Sequence, residues 1–136
     1  MSQQPPRPTD AELEILTVLW SRGPSTVRQV HESVNRRKPA QYSTVLKFMQ
    51  IMAEKGLVRR NEQQRAHIYE AAQPKEWTQQ RLAADLLQRA FGGSAKNLLM
   101  GALSARKASK QELAELRKML DQFELDQFKL DQFKKG

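Results

Sequence analysis

The stretch 41-QYSTVLKFMQIMAEKG-56 decides the fold. At about 100° per residue, its apolar side chains cover most of a helical wheel and its polar side chains form a narrow strip. The strip contains Ser43, Lys47, Gln50 and Glu54. An isolated surface helix needs a wider polar face than this. We therefore predict a helix that is packed on most sides and exposes a small polar ridge.

Two shorter helices are predicted before this stretch. The first begins at a capping box, in which Thr9 and Glu12 each satisfy a backbone N–H group of the first turn. The second has Ser25 or Thr26 near its N-cap, and its valines recur at helical spacing. A basic connector, 36-RRKP-39, follows the second helix, and its proline prevents the helix from continuing.

A β-hairpin is predicted after the third helix. Gly56 suits the C′ position that ends that helix, and the following LVRRNEQQRAHIYEA reads as two short strands around a turn. We expect the turn to carry Arg59, Arg60 and Arg65. Three helices and a hairpin in this order form a mainly α fold, the winged helix-turn-helix. In this fold the third helix offers its ridge to the major groove of DNA, and the hairpin (the wing) reaches the neighbouring backbone.

Basic residues are concentrated around these elements. The whole chain has 23 Lys and Arg residues against 15 Asp and Glu residues, which gives a net charge of +8. Between Arg22 and Arg65 there are ten basic residues and three acidic ones. A basic block around a packed helix is typical of polyanion binding, although a solvated basic face has the same composition.

The composition argues against an enzyme and against a metal or cofactor site. The absence of cysteine excludes disulfides, zinc–thiolate sites and a cysteine nucleophile. His31 and His67 lack metal-ligand spacing, and no phosphate-binding glycine motif is present. The N-terminal MSQQPPRP does not resemble a secretory signal, and no segment approaches the roughly 20 apolar residues of a membrane span. We expect a cytoplasmic protein without membrane insertion.

Short amphipathic helices are predicted after Pro74, which suits the first position of a helix. Gly92-Gly93 separates the first two helices, Ser94 caps the second, and Ser109 with Glu112 forms a capping box for the third. Such helices cannot easily bury their apolar sides alone, so we expect either a two-fold partner or packing onto the first domain. The residues predicted for dimerisation are Leu86, Leu87, Phe91, Leu98, Leu99, Leu103, Leu113, Leu116 and Leu120.

The chain divides into four predicted segments. Residues 1–8 form a polar, proline-rich tail that we expect to be disordered, 9–73 the winged-helix DNA-binding domain, 74–123 the helical dimerisation region, and 124–136 a repeat tail. The motif LDQF occurs three times near the C-terminus with a period of five. Five residues rotate a helix by about 500°, so we expect no continuous apolar stripe. The repeats indicate a ragged helical extension, a frayed tail or a partner-binding peptide.

The chain resembles the BlaI/MecI family of penicillinase repressors, whose copper-responsive branch is of the CopY type. The resemblance runs from Thr9 to Leu120 and rests on TDAELEILTVLW, STVRQVHE, YSTVLKFMQIMAEKGLVRR, RAHIYEA, FGGSAKNLL and SKQELAELRKML. It implies a bacterial homodimeric repressor, with a winged helix on palindromic operators and an entwined C-terminal helical region. In several members, a membrane-bound sensor-protease triggers cleavage in the C-terminal region, and the operator is then released.

The resemblance places Tyr42 and the polar ridge where the family's third helix meets DNA. The residues expected to read bases are Ser43, Thr44, Lys47 and Gln50, since Lys suits guanine and Gln suits adenine. The residues expected on the DNA backbone are Arg36, Arg37, Lys38, Tyr42, Arg59, Arg60 and Arg65. Two alternatives stay open, because Tyr42 could be a core residue and Thr44 could cap its helix. His31 is expected on the surface of the second helix.

Four departures from the family pattern limit what can be carried over. Gln64 precedes Arg65 where many members have glycine, and Ile51 stands where many have arginine, so the operator sequence stays open. LLMGALSA has no counterpart of the staphylococcal Asn-Phe cleavage site, and a chain without cysteine cannot sense copper through a cysteine cluster. The alternative function is a winged-helix protein-interaction module that binds an acidic partner.

Overall fold

The computed structural model describes residues 5–135, so the first four residues of the predicted disordered tail and the last residue of the repeat tail lie outside the described part. The elements follow the predicted order of three helices, a hairpin and further helices. They are α1 (Asp10–Arg22), α2 (Val27–Arg37), α3 (Tyr42–Lys55), β1 (Val58–Asn61), β2 (Ile68–Ala71), α4 (Lys75–Arg89), α5 (Ala95–Ala105) and α6 (Lys110–Lys135).

Side-chain caps define where α1 and α2 begin. The Thr9 hydroxyl accepts a hydrogen bond from the Glu12 N–H at 3.3 Å, and the Glu12 carboxylate accepts one from the Thr9 N–H at 2.9 Å. This confirms the predicted capping box. Of the two candidates for the second cap, Thr26 is the one used, and it forms a reciprocal capping box with Gln29. Ser25 instead exchanges two backbone hydrogen bonds with Tyr69, at 2.8 and 2.9 Å.

The hydrophobic core of the N-terminal part lies between α1, α2, α3 and the hairpin. On α3, Val45, Met49 and Met52 are buried at i, i+4 and i+7, which is one face of a helix. Val30 of α2 is fully buried, and Tyr69 of β2 is 1% exposed. The core also contains Ile15, Leu16, Leu19, Val27, Leu57 and Val58. This packing holds α3 on one side and leaves its other side exposed.

The hairpin differs from the prediction in where its turn begins. β1 and β2 are antiparallel, with Arg59 opposite Glu70 and Arg60 opposite Tyr69. Both arginines therefore lie in β1, and the prediction that they lie in the turn is wrong. The reason is that pairing continues to Asn61, so that only Arg65 of the three predicted arginines remains in the turn.

The C-terminal helices contain very few buried residues. The chain divides into two compact units, and the division falls between Leu86 and Leu87, inside α4. The domain ranges predicted from the sequence remain predictions. α4 begins at Lys75, one residue after the expected Pro74, whose carbonyl accepts hydrogen bonds from the first turn. Thr78 is buried in α4, whereas no residue of α5 is buried. Part of the apolar surface of these helices is thus open, since Leu86 of α4 and Met100 of α5 are exposed.

The N-terminal ends of α5 and α6 test the remaining capping predictions. The Ser94 hydroxyl accepts from the Asn97 N–H at 3.1 Å, as predicted. The Ser109 hydroxyl accepts from the Glu112 N–H at 3.0 Å, but the Glu112 carboxylate is held by Arg106 at 3.0 and 3.2 Å. The predicted reciprocal box at Ser109 is therefore wrong, because the guanidinium competes successfully for the carboxylate.

The LDQF repeats are helical. α6 continues without a break from Lys110 to Lys135, and the Gln122 amide donates to the Asp126 carboxylate at 3.0 Å, four residues along the helix. Of the two structural alternatives, the structure thus shows the helical extension and not the frayed tail. Within the described part of the chain, no helix is both long enough and apolar enough to cross a bilayer.

Candidate nucleic-acid interface

The polar ridge predicted on α3 is exposed. We call Ser43, Lys47 and Gln50 the α3 ridge, since all three are exposed and lie within about 60° of one another on the helical wheel. On the opposite side, Met49 and Met52 are fully buried. Because the buried side cannot rotate without breaking the core, the core fixes the direction in which the α3 ridge faces.

Thr44 lies beside the α3 ridge, next to the connector between α2 and α3. With Lys38 and Gln41 it lines a shallow pocket of about 290 Å³. The N-cap of α3 is Gln41, and no side chain forms a capping hydrogen bond there. The capping alternative for Thr44 is therefore wrong. Arg36 and Arg37 are exposed in the last turn of α2, where cations complement the helix dipole.

The connector is held by His31 and Asn35. The His31 Nε2 atom lies 2.7 Å from the Ala40 carbonyl oxygen, and the Asn35 side-chain oxygen accepts from the Ala40 N–H at 2.9 Å. The His31 ring also meets the Tyr42 ring edge-on, with centroids 5.8 Å apart. His31 is thus partly buried and in contact, contrary to the expectation of a plain surface residue.

Tyr42 is not a core residue. Its side chain is 47% exposed at the first position of α3, so the core alternative for Tyr42 is wrong. The wheel grouped it with apolar residues because its angle is right for the core. At the first position of α3, however, its ring meets His31 and is not part of the buried cluster.

A second concave region lies on the other side of α3 and extends to the wing. This basic groove has a volume of about 500 Å³. Its polar and charged lining comes from the start of α2, from α3, and from the wing. The lining residues used below are Thr26, Arg28, Tyr42, Gln50, Arg60 and Arg65. Three arginines from separate elements thus converge on one surface beside the α3 ridge.

The two strand arginines differ in their surroundings. A hydrogen bond to the Tyr69 side chain raises the pKa of Arg60, and the nearby Glu62 carboxylate, with which Arg60 forms an ion pair, raises it further. Arg59 points to the opposite face of the hairpin, because successive side chains of a strand alternate. There its guanidinium lies 3.5 Å from the Glu70 carboxylate. Arg59 therefore does not line the basic groove.

A buried ion pair ties the end of α3 to the start of α1. The Glu12 side chain is buried, and its carboxylate accepts from the Lys55 ammonium at 2.8 Å. Burial alone would raise the pKa of Glu12, but hydrogen bonds from Lys55 and from the Thr9 N–H outweigh it and lower that pKa. The carboxylate that caps α1 thus also anchors the last turn of α3.

The sequence pattern missed the parts of this surface contributed by α2. Thr26 was identified only as a cap, and Arg28 only as one member of a basic block. His31 was expected only as a surface residue of the second helix. The helical spacing between Arg28 and the valines of α2 could have placed Arg28 on the side away from the core, but nothing in the sequence indicated which neighbour that side would meet.

An exposed ridge on a buried third helix, a hairpin beside it and a basic groove between them define a protein of the winged helix-turn-helix class. A family model described as penicillinase repressor matches residues 8–122. The chain therefore belongs to the penicillinase repressor family, which confirms the resemblance. The family is one of transcriptional repressors, which are not enzymes, as predicted.

Two relatives illustrate the range of similarity. The transcriptional regulator BlaI of Mycobacterium tuberculosis (strain H37Rv) is 38% identical over 82 residues, which cover 60% of this chain and 59% of that protein. The match thus spans less than two thirds of that relative's length. A penicillinase repressor of Staphylococcus aureus is 17% identical over 111 residues, which cover 82% of this chain and 88% of that protein.

Two solved structures are similar in part. The solution structure of the DNA-binding domain of the repressor BlaI has a TM-score of 0.49 at 19% identity, and covers 54% of this chain and 90% of that one. The solution structure of monomeric Bacillus licheniformis BlaI in complex with the blaP half-operator has a TM-score of 0.48 at 19% identity, and covers 54% of this chain and 89% of that one.

Proposed function

We propose that this protein is a transcriptional repressor that binds double-stranded DNA as a homodimer on palindromic operators. The observation that carries the proposal is the position of the α3 ridge beside a groove lined by Arg28, Arg60 and Arg65. A rigid polar ridge can read base edges, and cations from separate elements can bind the two flanking phosphate backbones. Membership of a repressor family supports the same function.

The α3 ridge and Thr44 are assigned to base reading. Lys47 can donate to the O6 and N7 atoms of guanine, and Gln50 can form two hydrogen bonds with adenine. The Ser43 hydroxyl can donate a hydrogen bond to a base edge or accept one from it, so it does not distinguish guanine from adenine. The Thr44 methyl group can contact the thymine methyl group. Exposure of all four side chains is consistent with this role.

The cationic residues around the ridge are assigned to phosphates. Arg60 and Arg65 belong to the wing side, and Tyr42 can pack on the sugar-phosphate backbone from the start of α3. Arg36, Arg37 and Lys38 form a second basic group at the end of α2. Arg59 lies on the face of the hairpin opposite the basic groove and pairs with Glu70, so we expect it to contribute least.

The homodimer is assigned to the C-terminal helices. Of the predicted dimerisation residues, Leu86 and Leu120 are 46% and 55% exposed, and the other seven are only partly buried. A two-fold dimer would present two copies of α3 to one face of DNA, about one helical turn or a multiple of it apart. Release by an inducing signal, such as cleavage by a membrane sensor-protease, and a cytoplasmic location are proposed from the family resemblance.

Selection of genomic DNA by the purified protein tests this function. Sheared DNA from the source organism is incubated with the full chain at two salt concentrations, and the retained fragments are sequenced. We expect a two-fold symmetric motif upstream of a few genes, with retention that falls as salt rises. Arg28→Ala should reduce retention of all fragments, whereas the matched control Lys96→Ala, on α5, should not.

Two outcomes would contradict the proposal. Random retained fragments would mean that the α3 ridge does not read bases. No salt-dependent binding to any duplex would favour a winged-helix module that binds an acidic protein, and the basic groove would then be the surface to test against that partner.

A further inference from the structure

The last helix carries an apolar seam that continues beyond the residues matched by the family model, which end at 122. Because α6 is continuous, residues spaced alternately by three and four lie along one side of it. These seam residues are Leu113, Leu116, Leu120, Phe123, Gln127 and Leu130. Within the repeats the polar Gln127 interrupts the seam, and the expectation that the LDQF repeats make no continuous apolar stripe stays a prediction. The seam begins before the repeats at Leu113. The first repeat adds its leucine and phenylalanine to the seam, the second its glutamine and the third its leucine.

The second half of the seam is exposed in the single chain. Leu120 is 55% exposed, Phe123 62% and Leu130 53%. A run of exposed large apolar side chains of this length usually marks an interaction surface. Leu125 and Phe128 are also exposed, but they lie on the opposite side of α6.

The charges along one flank of the seam indicate what covers it. Lys110, Arg117, Glu124 and Asp131 recur every seven residues beside the seam. The two residues nearer the start of α6 are basic and the two nearer its end are acidic. Two such flanks are complementary only when the helices run in opposite directions. A parallel pair would keep one attractive contact, between Arg117 and Glu112 of the second copy, but it would place Asp126 against Asp131, which is repulsive.

We propose that α6 pairs antiparallel with α6 of a second copy of this chain, with Leu120 packed against Phe123 and Leu113 against Leu130 of that copy. Arg117 then faces Glu124, and Lys110 faces Asp131, each twice in the dimer. Sliding one helix by seven residues would place Glu124 or Arg117 opposite itself, so the charges also select the register.

This pairing rests on the proposed homodimer and specifies its geometry. It assigns a role to the repeats, which extend the dimer interface beyond the family match. In this register one kind of pair along the helix interface is not apolar on both sides, because Gln127 lies against Leu116 of the second copy. We call this pair the polar layer. A single polar residue in such a seam lowers stability and helps to set the register.

Charge reversal tests the direction of pairing without DNA. The dimer dissociation constant is measured by sedimentation equilibrium for Arg117→Glu, Glu124→Arg and the double variant. Each single change makes two attractive pairs repulsive, and we expect about a tenfold weaker dimer. The double variant should return to within about twofold of the original chain. A double variant as weak as the single ones would overturn the antiparallel arrangement, since in a parallel pair Arg117 would face Glu112.

Disulfide trapping tests the register, because the chain has no cysteine of its own. A Leu120→Cys chain mixed with a Phe123→Cys chain should form a mixed disulfide, whereas each chain alone should form much less. Efficient self-linking of the Leu120→Cys chain would indicate parallel helices and overturn the proposal.

Seam variants test whether the repeats take part. We expect Leu130→Asp to weaken the dimer more than tenfold, and Gln127→Leu, which makes the polar layer apolar, to tighten it about tenfold. Leu125→Asp is the matched control and should change the dissociation constant less than twofold. Tightening by Gln127→Leu cannot result from misfolding. Equal effects of Leu130→Asp and Leu125→Asp would overturn the seam.

These results are separate from the test of repression. If the charge and cysteine variants fail while the chain still selects symmetric operators, the helix pairing is wrong and the proposed function stands. If the pairing holds but no duplex is bound, the proposed function is wrong.

Discussion

The two parts of the molecule treat their apolar residues differently. Around α1 to α3 and the hairpin, the helices close a core in which Val30, Met49 and Met52 have no exposure. In α5 no residue is buried, and along α6 Leu120 and Phe123 are more than half exposed. A single chain thus completes the first core and leaves the apolar surface of the later helices open.

The proposed function would explain this difference as a division between recognition and assembly. A base-reading α3 ridge would need a core that a single chain holds rigid, because a base-reading side chain is useful only in a fixed direction. In the proposed homodimer, the C-terminal helices would cover their apolar surface with a partner, and their folding would depend on protein concentration. The following predictions test that division.

The largest effect is expected from a cavity in the closed core. Met49→Ala should lower the free energy of unfolding by about 2–5 kcal/mol, because a fully buried side chain is removed. Leu125→Ala, on the side of α6 opposite the seam and 46% exposed, is the matched control and should cost less than about 0.5 kcal/mol. Urea unfolding measures both changes. Similar losses would mean that the two parts are not packed differently.

The next effect is expected at the buried ion pair. Glu12→Gln should cost about 1–3 kcal/mol near neutral pH, since Lys55 loses its charged partner and α1 loses part of its cap. The pKa of Glu12 is lowered on folding, so its stabilisation is fully present above the ordinary carboxyl pKa and is lost as the pH falls through the folded pKa.

Urea unfolding of the original chain and Glu12→Gln across the acid range checks this dependence. The difference between the two curves should shrink as the pH falls. Glu14→Gln, at an exposed position of the same helix, should show almost no difference at any pH. A gap between the original chain and Glu12→Gln that grows on acidification would contradict the assigned direction of the pKa shift.

The two kinds of DNA contact should separate in binding measurements. Lys47→Ala should weaken binding to the selected operator by about 1–3 kcal/mol and relax the preference at one base pair. Arg65→Ala should weaken binding to all duplexes alike and reduce the salt slope by about one unit. Fluorescence anisotropy with operator and scrambled duplexes distinguishes them. Equal losses for Lys47→Ala on both duplexes would remove the base-reading assignment.

The smallest effect compares helix caps in the two parts. Thr26→Ala should cost about 1 kcal/mol, because Thr26 caps a helix that is packed in the closed core. Ser109→Ala should cost no more than about half as much, since α6 begins at an exposed position. Thermal or urea unfolding at fixed protein concentration measures both. A larger loss for Ser109→Ala would indicate that α6 is packed more firmly than its exposure suggests.

Local signals in the sequence predicted the elements well. The capping residues Thr9 and Glu12 and the terminating Gly56 act over one helical turn, so they could be identified without the fold. Contacts that depend on competition were predicted less well. Glu112 was expected to cap its own helix, and Arg106 took its carboxylate instead.

The surface around the α3 ridge was predicted only in part. The side of α3 that is exposed follows from periodicity, so the ridge could be read from the sequence. The placement of Tyr42 could not, because a wheel gives the angle of a residue and not how far the neighbouring helices extend. Arg59 was grouped with Arg60, and the register of the hairpin put them on opposite faces.

The sequence by itself determined the order of the helices and hairpin, the caps, the buried face of α3 and the family, because these depend on residue type and short-range spacing. The tertiary structure alone decided that Arg28, Arg60 and Arg65 converge on one groove and that His31 holds the connector. It also showed that α6 continues through the repeats as one unbroken helix. The groove and the connector contacts join residues that are distant in sequence, which spacing along the chain does not specify.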